Sequence, residues 1–151
     1  MLKSKVKYII IHCSDSHYGN KQLIDEWHNA RGWNGCGYHY VITNCYPTRA
    51  LYEAYQPHLK SDGAITQGRL ETQEGAHCFG LNSVSIGICL IGVGTFTSRQ
   101  LKALKYRVQK LQYDYGYKLN VLGHCETKSG KEQGKTCPNL SMDWIRNYLE
   151  E

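Results

Sequence analysis

Two short stretches in the last third of the sequence carry side chains that could bind a metal ion. The first is Gly-His-Cys-Glu at residues 123–126, and the second is Lys-Thr-Cys-Pro at residues 135–138. The imidazole of His124 and the thiolate of Cys137 are ligand types that zinc prefers in proteins. Two ligands do not complete a tetrahedral site, so the rest of the chain has to supply a third.

A strand near the amino terminus offers a candidate for that third ligand. Residues 6–11 form a nearly continuous apolar run that ends at His12, which predicts a strand buried on both faces. His12 would lie where the strand emerges from the core, and Cys13 would point to the opposite face. From this residue alone, a metal ligand and a histidine at the edge of the core are equally good interpretations.

The remaining pattern predicts an α/β fold with one domain, residues 1–151, in which helices flank a central mixed β-sheet. The other predicted strands are residues 38–43, 64–69, 85–92 and 120–122, with 85–92 at the centre of the sheet. The predicted helices are residues 20–31, a helix capped by Thr97 that ends before Gly116, and a last helix capped by Ser141 that ends near residue 150.

Two segments of this pattern bear on a binding cleft. In the predicted strand 38–43, Tyr38 and Tyr40 would share one face and His39 would take the other. Residues 44–60 show no clear period, which predicts an irregular loop. Loops of this length are more often functional than not, although a packed Ω-loop without a catalytic role would show the same pattern.

Composition limits the partners only weakly. The 18 basic and 13 acidic residues give a charge of +5, which suits nucleic acid and an anionic bacterial envelope equally well. The sequence contains neither an apolar run long enough for a membrane span nor a signal peptide, so we expect a cytoplasmic protein without membrane insertion. The seven cysteines are odd in number and lack C-x-x-C spacing, so we expect reduced thiols.

Two histidines at strand ends and one loop cysteine would give a zinc ion two nitrogens and one sulfur. Three protein ligands leave the fourth position for water, which is the pattern of a catalytic zinc site. Water bound in such a site becomes a nucleophile near neutral pH. Lys135 precedes Cys137 by two residues, and its ammonium group could stabilise the oxyanion that forms when a carbonyl is attacked.

Four ordered motifs resemble those of a known enzyme family. They are I-I-I-H-C-S at residues 9–14, G-Y-H-Y at 37–40, the glycine-rich segment at 75–92, and G-H-C-E with K-T-C-P at 123–138. Together they resemble the N-acetylmuramoyl-L-alanine amidase 2 family, which includes peptidoglycan recognition proteins. The likeness is strongest to single-domain bacteriophage lysozymes that are zinc amidases (endolysins), and it covers nearly the whole chain.

The resemblance implies a role for each matching position. His12, His124 and Cys137 would be the zinc ligands. Tyr38 would lie beside the metal-bound water as a hydrogen-bonding phenol, and Lys135 would stabilise the tetrahedral intermediate.

The resemblance also implies that His77 lines the substrate cleft and contributes to binding. Two segments, 44–60 and 128–134, are longer than the family pattern requires, and both should lie near the cleft. We therefore interpret the tyrosine-rich segment 44–60 as a rim or lid that grips glycan or stem peptide.

The implied function is zinc-dependent hydrolysis of the amide bond between N-acetylmuramic acid and L-alanine in peptidoglycan. A monomeric phage enzyme of this kind would be made in the host cytoplasm and would reach the cell wall after the membrane is opened. The resemblance would also fit a cytoplasmic amidase that recycles muropeptides. The third zinc ligand in such enzymes is commonly Asp, so Cys137 argues against this alternative. The resemblance would fit, in addition, a non-catalytic peptidoglycan-binding module or a regulatory partner of a phage RNA polymerase.

Overall fold

A five-stranded mixed sheet lies at the centre of the computed structural model, which describes all residues from 1 to 151. Its strands are β1 (Tyr8–Cys13), β2 (Tyr40–Ile42), β3 (Ile65–Gln67), β4 (Ser85–Leu90) and β5 (Asn120–Gly123). The strand order is β3-β2-β4-β1-β5, in which only the β2–β3 pair is antiparallel. The predicted α/β class is therefore confirmed, and β4 occupies the central position that the sequence predicted.

Five α-helices connect and cover the strands. They are α1 (Lys21–Ala30), α2 (Arg49–Glu53), α3 (Ser98–Tyr115), α4 (Lys128–Glu132) and α5 (Met142–Glu150), with short 3-10 turns at Lys3–Lys5, Leu59–Ser61 and His124–Glu126. Thr97 and Gln100 form the predicted capping box, and Gly116 ends α3 in the left-handed conformation with φ 73°. None of the helices has the length and apolar character needed to cross a membrane.

Two apolar clusters lie on opposite faces of the sheet. The larger one includes Leu104 of α3 and Ile145 of α5, and the smaller one includes Ile24 of α1. Because helices cover both faces, all six residues of β4 are buried, as are the last five of β1. This burial explains why those strands read as continuous apolar runs in the sequence.

The predicted strand 38–43 is shorter than expected, and its predicted facing is wrong. The strand begins only at Tyr40, which belongs to the larger cluster, whereas Tyr38 packs against the smaller cluster on the other face. The carbonyl of Tyr38 accepts a hydrogen bond from Arg69 N at 2.9 Å in a loop segment outside the strands. Regular pairing begins only at Tyr40, because His39 donates its N–H to Gly87 O of β4 at 2.9 Å while its carbonyl accepts from Gly68 N, beside β3, at 2.8 Å. Strict alternation therefore does not extend back to Tyr38.

Residues 44–60 are more ordered than the irregular loop that the sequence predicted. They contain helix α2, whose amino terminus is capped by Thr48. The ring of Tyr52 stacks on His17 with centroids 5.4 Å apart, and it also contacts Tyr18 at 5.8 Å. These contacts hold the segment against the loop that follows β1.

Candidate metal centre and active site

The carboxyl ends of β1 and β5 bring two histidines together. The two strands are parallel, and Ile11 pairs with Gly123. His12 follows Ile11 and His124 follows Gly123, so the two histidines lie side by side, with ring centroids 4.7 Å apart. Register between strands that are far apart in the sequence thus creates the pair.

Cys137 lies beside both histidine-bearing segments but does not complete a preformed cluster. Its carbonyl accepts a hydrogen bond from Cys125 N at 2.9 Å, next to His124. Its sulfur lies 3.1 Å from the sulfur of Cys13, the residue after His12. No group of three or more His, Cys, Asp or Glu side chains is already arranged to hold a metal ion.

The protonation states of the three predicted ligands suit a divalent metal ion. Burial lowers the pKa of both His12 and His124, so each imidazole is neutral at pH 7. The hydrogen bond from the Cys13 thiol lowers the pKa of Cys137 to about 6, although burial opposes the shift. Neutral imidazole and thiolate are the forms that bind metal.

The environment of His124 supports a role as a metal ligand. Its buried Nε2 has no hydrogen-bond partner, and its other ring nitrogen makes no hydrogen bond within the protein either. An unsatisfied buried polar group costs about 1–3 kcal/mol. A metal ion bound through the His124 ring, with His12 and Cys137 as further ligands, fits this donor set and zinc chemistry.

Tyr38 contacts His12, the first histidine of the pair. Its ring centroid lies 5.0 Å from that of His12. Burial raises the pKa of the Tyr38 phenol well above its usual value, so the hydroxyl stays protonated. His28 of α1 supports this segment, because its Nδ1 accepts a hydrogen bond from Gly37 N at 2.9 Å. The sequence reasoning missed His28, although it follows Ile24 by four residues on the buried stripe of α1.

Lys135 is an exposed cation at the edge of the site. Its backbone N donates to Gly130 O at 2.8 Å, and its side chain makes no ion pair. Its positive charge contributes to the lowered pKa of His12, His124 and Cys137. The ammonium group therefore acts electrostatically on the predicted ligands, and no ion pair holds it away from a bound substrate.

The residues 128–134 that exceed the family pattern form a support for His124. Helix α4 is capped by Thr127, whose Oγ1 donates to His124 O at 2.8 Å and accepts from Gly130 N at 3.0 Å. A Cβ at Gly130 would lie only 1.8 Å from His124 O. Gly130 can therefore approach the backbone of His124 this closely only because glycine has no side chain.

His77 is buried beside His12. It is 8% exposed, and its Nδ1 lies 2.9 Å from His12 Nε2. Its Nε2 lies 3.3 Å from Ser85 Oγ. Both ring nitrogens thus face protein groups, and the predicted contact of His77 with substrate stays a prediction.

Comparison with known proteins gives this site a context. A family profile described as "N-acetylmuramoyl-L-alanine amidase" matches residues 2–140 of the chain. The chain belongs to this amidase family. The endolysin of Enterobacteria phage T3 is 30% identical over 160 residues, which cover 97% of this chain and 91% of that endolysin.

Solved structures agree with the family assignment. The N-acetylmuramoyl-L-alanine amidase LysC from Clostridium intestinale superimposes with a TM-score of 0.76 and 26% identity over 97% of this chain and 86% of LysC. Bumblebee PGRP-SA, with a TM-score of 0.63 and 21% identity over 90% of this chain and 84% of its own, shares the fold. The predicted amidase and peptidoglycan recognition protein-like architecture is confirmed.

In this member of the amidase family, the predicted site residues Tyr38, His77, His124 and Cys137 lie at the carboxyl end of β1. The ring of His12 contacts those of Tyr38, His77 and His124. The sequence reasoning assigned no role to Cys13, although it adjoins His12 in the sequence. No local signal identified Cys13, because strand alternation predicted that its side chain points away from that of His12.

Proposed function

We propose that this protein is a zinc-dependent N-acetylmuramoyl-L-alanine amidase. It hydrolyses the amide bond between N-acetylmuramic acid and L-alanine in bacterial peptidoglycan. The observation that carries the proposal is the His12–His124 ring pair at 4.7 Å, with the Cys137 thiol held beside the residue that follows His12. Two neutral imidazoles and one thiolate are a zinc donor set that leaves a coordination position open.

His12, His124 and Cys137 would hold the zinc, which supplies Lewis acidity and lowers the pKa of bound water. The chain's own residues provide the remaining functions. Tyr38 stays protonated, so it orients groups at the centre as a hydrogen-bonding phenol. Lys135 places a positive charge where negative charge develops on the scissile carbonyl oxygen, which lowers the barrier to attack.

The biological role that we infer is host-cell lysis by a phage. This proposal is supported by the name endolysin that the phage T3 relative carries. The enzyme would be made in the host cytoplasm and would act as a monomer, through one domain of residues 1–151, after the membrane is opened. The packed segment 44–60, with Tyr52 stacked on His17, would form one rim of the cleft and contact glycan or stem peptide.

The test is hydrolysis of purified peptidoglycan by the protein before and after chelator treatment, followed by addition of zinc. We expect new amino-terminal alanine without new reducing sugar ends, loss of activity after chelation, and recovery with zinc. New reducing ends without new amino termini would instead identify a glycosidase. Binding to the wall without either product would identify a non-catalytic module, and cleavage of soluble muropeptides alone would identify a recycling enzyme.

A further inference from the structure

A buried row of hydrogen bonds begins at Ser85 and ends at His12. The Ser85 hydroxyl donates to Leu81 O at 2.7 Å, which uses its only hydrogen. Toward His77 Nε2, at 3.3 Å, the Ser85 oxygen can therefore only accept. It follows that Nε2 of His77 carries the ring hydrogen.

The tautomer of His77 then determines the tautomer of His12. A buried imidazole without a carboxylate contact is neutral, so the Nδ1 of His77 has a free lone pair and accepts. The atom 2.9 Å away is Nε2 of His12, which must therefore be the donor. His12 is left with a bare Nδ1, and this nitrogen makes no hydrogen bond within the protein.

Gly75 and Gly87 leave the space that the His77 ring occupies. A Cβ at Gly75 would lie 2.3 Å from Cδ2 of His77, and a Cβ at Gly87 would lie 2.7 Å from the same atom. His39 holds Gly87 in place, because its Nδ1 accepts from Gly87 N at 3.0 Å. The His77 ring therefore fits where it does only because both neighbours lack side chains.

We propose that Ser85 and His77 are positioning residues that fix the Nε2-protonated tautomer of His12 and present its Nδ1 to the metal. The metal part of this inference rests on the proposed function, whereas the tautomer is a property of the protein alone. Partners that orient a metal-binding histidine typically change metal affinity by about 10- to 100-fold when they are removed.

The first test is nitrogen NMR of the metal-free protein with ¹⁵N-labelled histidine, using long-range proton–nitrogen correlations. We expect Nε2 of His12 and Nε2 of His77 to be protonated and both Nδ1 atoms to be bare. A His12 protonated on Nδ1, or an even mixture of its tautomers, would overturn the proposal. This measurement needs neither a variant nor an active enzyme.

The second test is zinc affinity by chelator competition. We expect His77→Leu, which lacks an acceptor, to bind zinc about 10- to 100-fold more weakly. His77→Asn should recover part of the loss, because its amide oxygen takes a place near that of Nδ1. Ser85→Ala, which keeps His77, should leave His12 in a mixture of tautomers. Phe79→Ala, in the same loop but with a side chain that is 79% exposed, should bind zinc as wild type does.

Wild-type zinc affinity in a folded His77→Leu protein would contradict the inference. If that variant does not fold, the NMR spectrum of the wild type and the tautomers of Ser85→Ala still decide the question. A protein with the expected tautomer and zinc affinity but no cleavage of peptidoglycan would refute the proposed function and leave this inference standing. An active amidase with the opposite tautomer would refute only this inference.

Discussion

The sulfur of Cys13 lies 3.1 Å from the sulfur of Cys137, although the two residues are separated by 124 positions in the sequence. Cys13 is buried and remains a thiol, because its hydrogen bond with Cys137, together with burial, raises its pKa. The thiol can therefore donate to the proposed metal ligand. Such a donor favours the thiolate form of Cys137, which is the form that binds zinc.

We expect Cys13→Ala to weaken zinc binding by roughly 10-fold, in the range found for other groups that support metal ligands. Cys13→Ser should retain most of the affinity, since its hydroxyl can still donate to Cys137. Chelator competition measures the affinity, and thermal unfolding of the metal-free proteins controls for lost packing. Equal zinc affinity in wild type and Cys13→Ala would show that the sulfur contact has no role in binding.

Removal of the proposed sulfur ligand should abolish both metal binding and catalysis. We expect Cys137→Ala to contain no zinc after dialysis and to release no amino-terminal alanine from peptidoglycan. Cys45→Ala is the matched control, because Cys45 is also a partly buried free cysteine but belongs to segment 44–60. Retention of zinc and activity by Cys137→Ala would show that the ligand set is wrong.

The charge of Lys135 should affect the rate and not the metal. We expect Lys135→Ala to bind zinc normally while kcat falls on the order of 100-fold, as for the loss of an oxyanion-stabilising donor. Lys135→Arg should retain part of the rate because it keeps the charge. Lys131→Ala removes another exposed lysine, from α4, and should have the activity of the wild type. An undiminished kcat in Lys135→Ala would exclude the proposed role.

The hydroxyl of Tyr38 should matter more than its ring. We expect Tyr38→Phe to keep its packing against His12 and its zinc content, while kcat falls about 100-fold through loss of a hydrogen bond in the transition state. Tyr113→Phe is the control, since Tyr113 of α3 is 83% exposed and lies outside the proposed cleft segments. Steady-state kinetics on a soluble muramyl peptide separate kcat from KM. A change in KM alone would assign Tyr38 to substrate binding.

Helix α4 should stabilise the metal site through its contact with His124. We expect Gly130→Ala to destabilise the protein by about 1–3 kcal/mol and to weaken zinc binding, because its Cβ would meet His124 O at 1.8 Å. Gly134→Ala is the control: its φ of +66° gives a strain of about 1–2 kcal/mol, but its Cβ would meet no atom within 4 Å. Denaturant unfolding and zinc titration of both variants measure the two effects. Similar zinc affinities would mean that α4 does not support the site.

Local interactions made much of the fold predictable from the sequence. The capping box of Thr97 and Gln100 lies within one turn of α3, and the sequence identified it correctly. Buried parallel strands also have a local signature, because their residues are apolar on both faces. The family motifs could also be recognised from the sequence, because each motif is a short contiguous stretch. They predicted which residues surround the site.

Contacts between distant segments decided the remaining features. Tyr38 lies on the face opposite to the predicted one because the strand is irregular at His39, which bonds to both Gly68 and Gly87, and no periodicity in residues 38–43 encodes those contacts. The sequence predicted His77 as a residue of the cleft, but only the fold placed its ring against His12, 65 positions away.

The sequence by itself determined the chemistry available to this protein: two strand-end histidines, a cysteine and a lysine in short motifs. The tertiary structure decided how those groups are oriented and which groups support them. It placed Cys13 against Cys137 and packed α4 behind His124. The physical reason is that ligand types are fixed by single residues, whereas hydrogen-bond direction and close packing depend on the register and docking of separate segments.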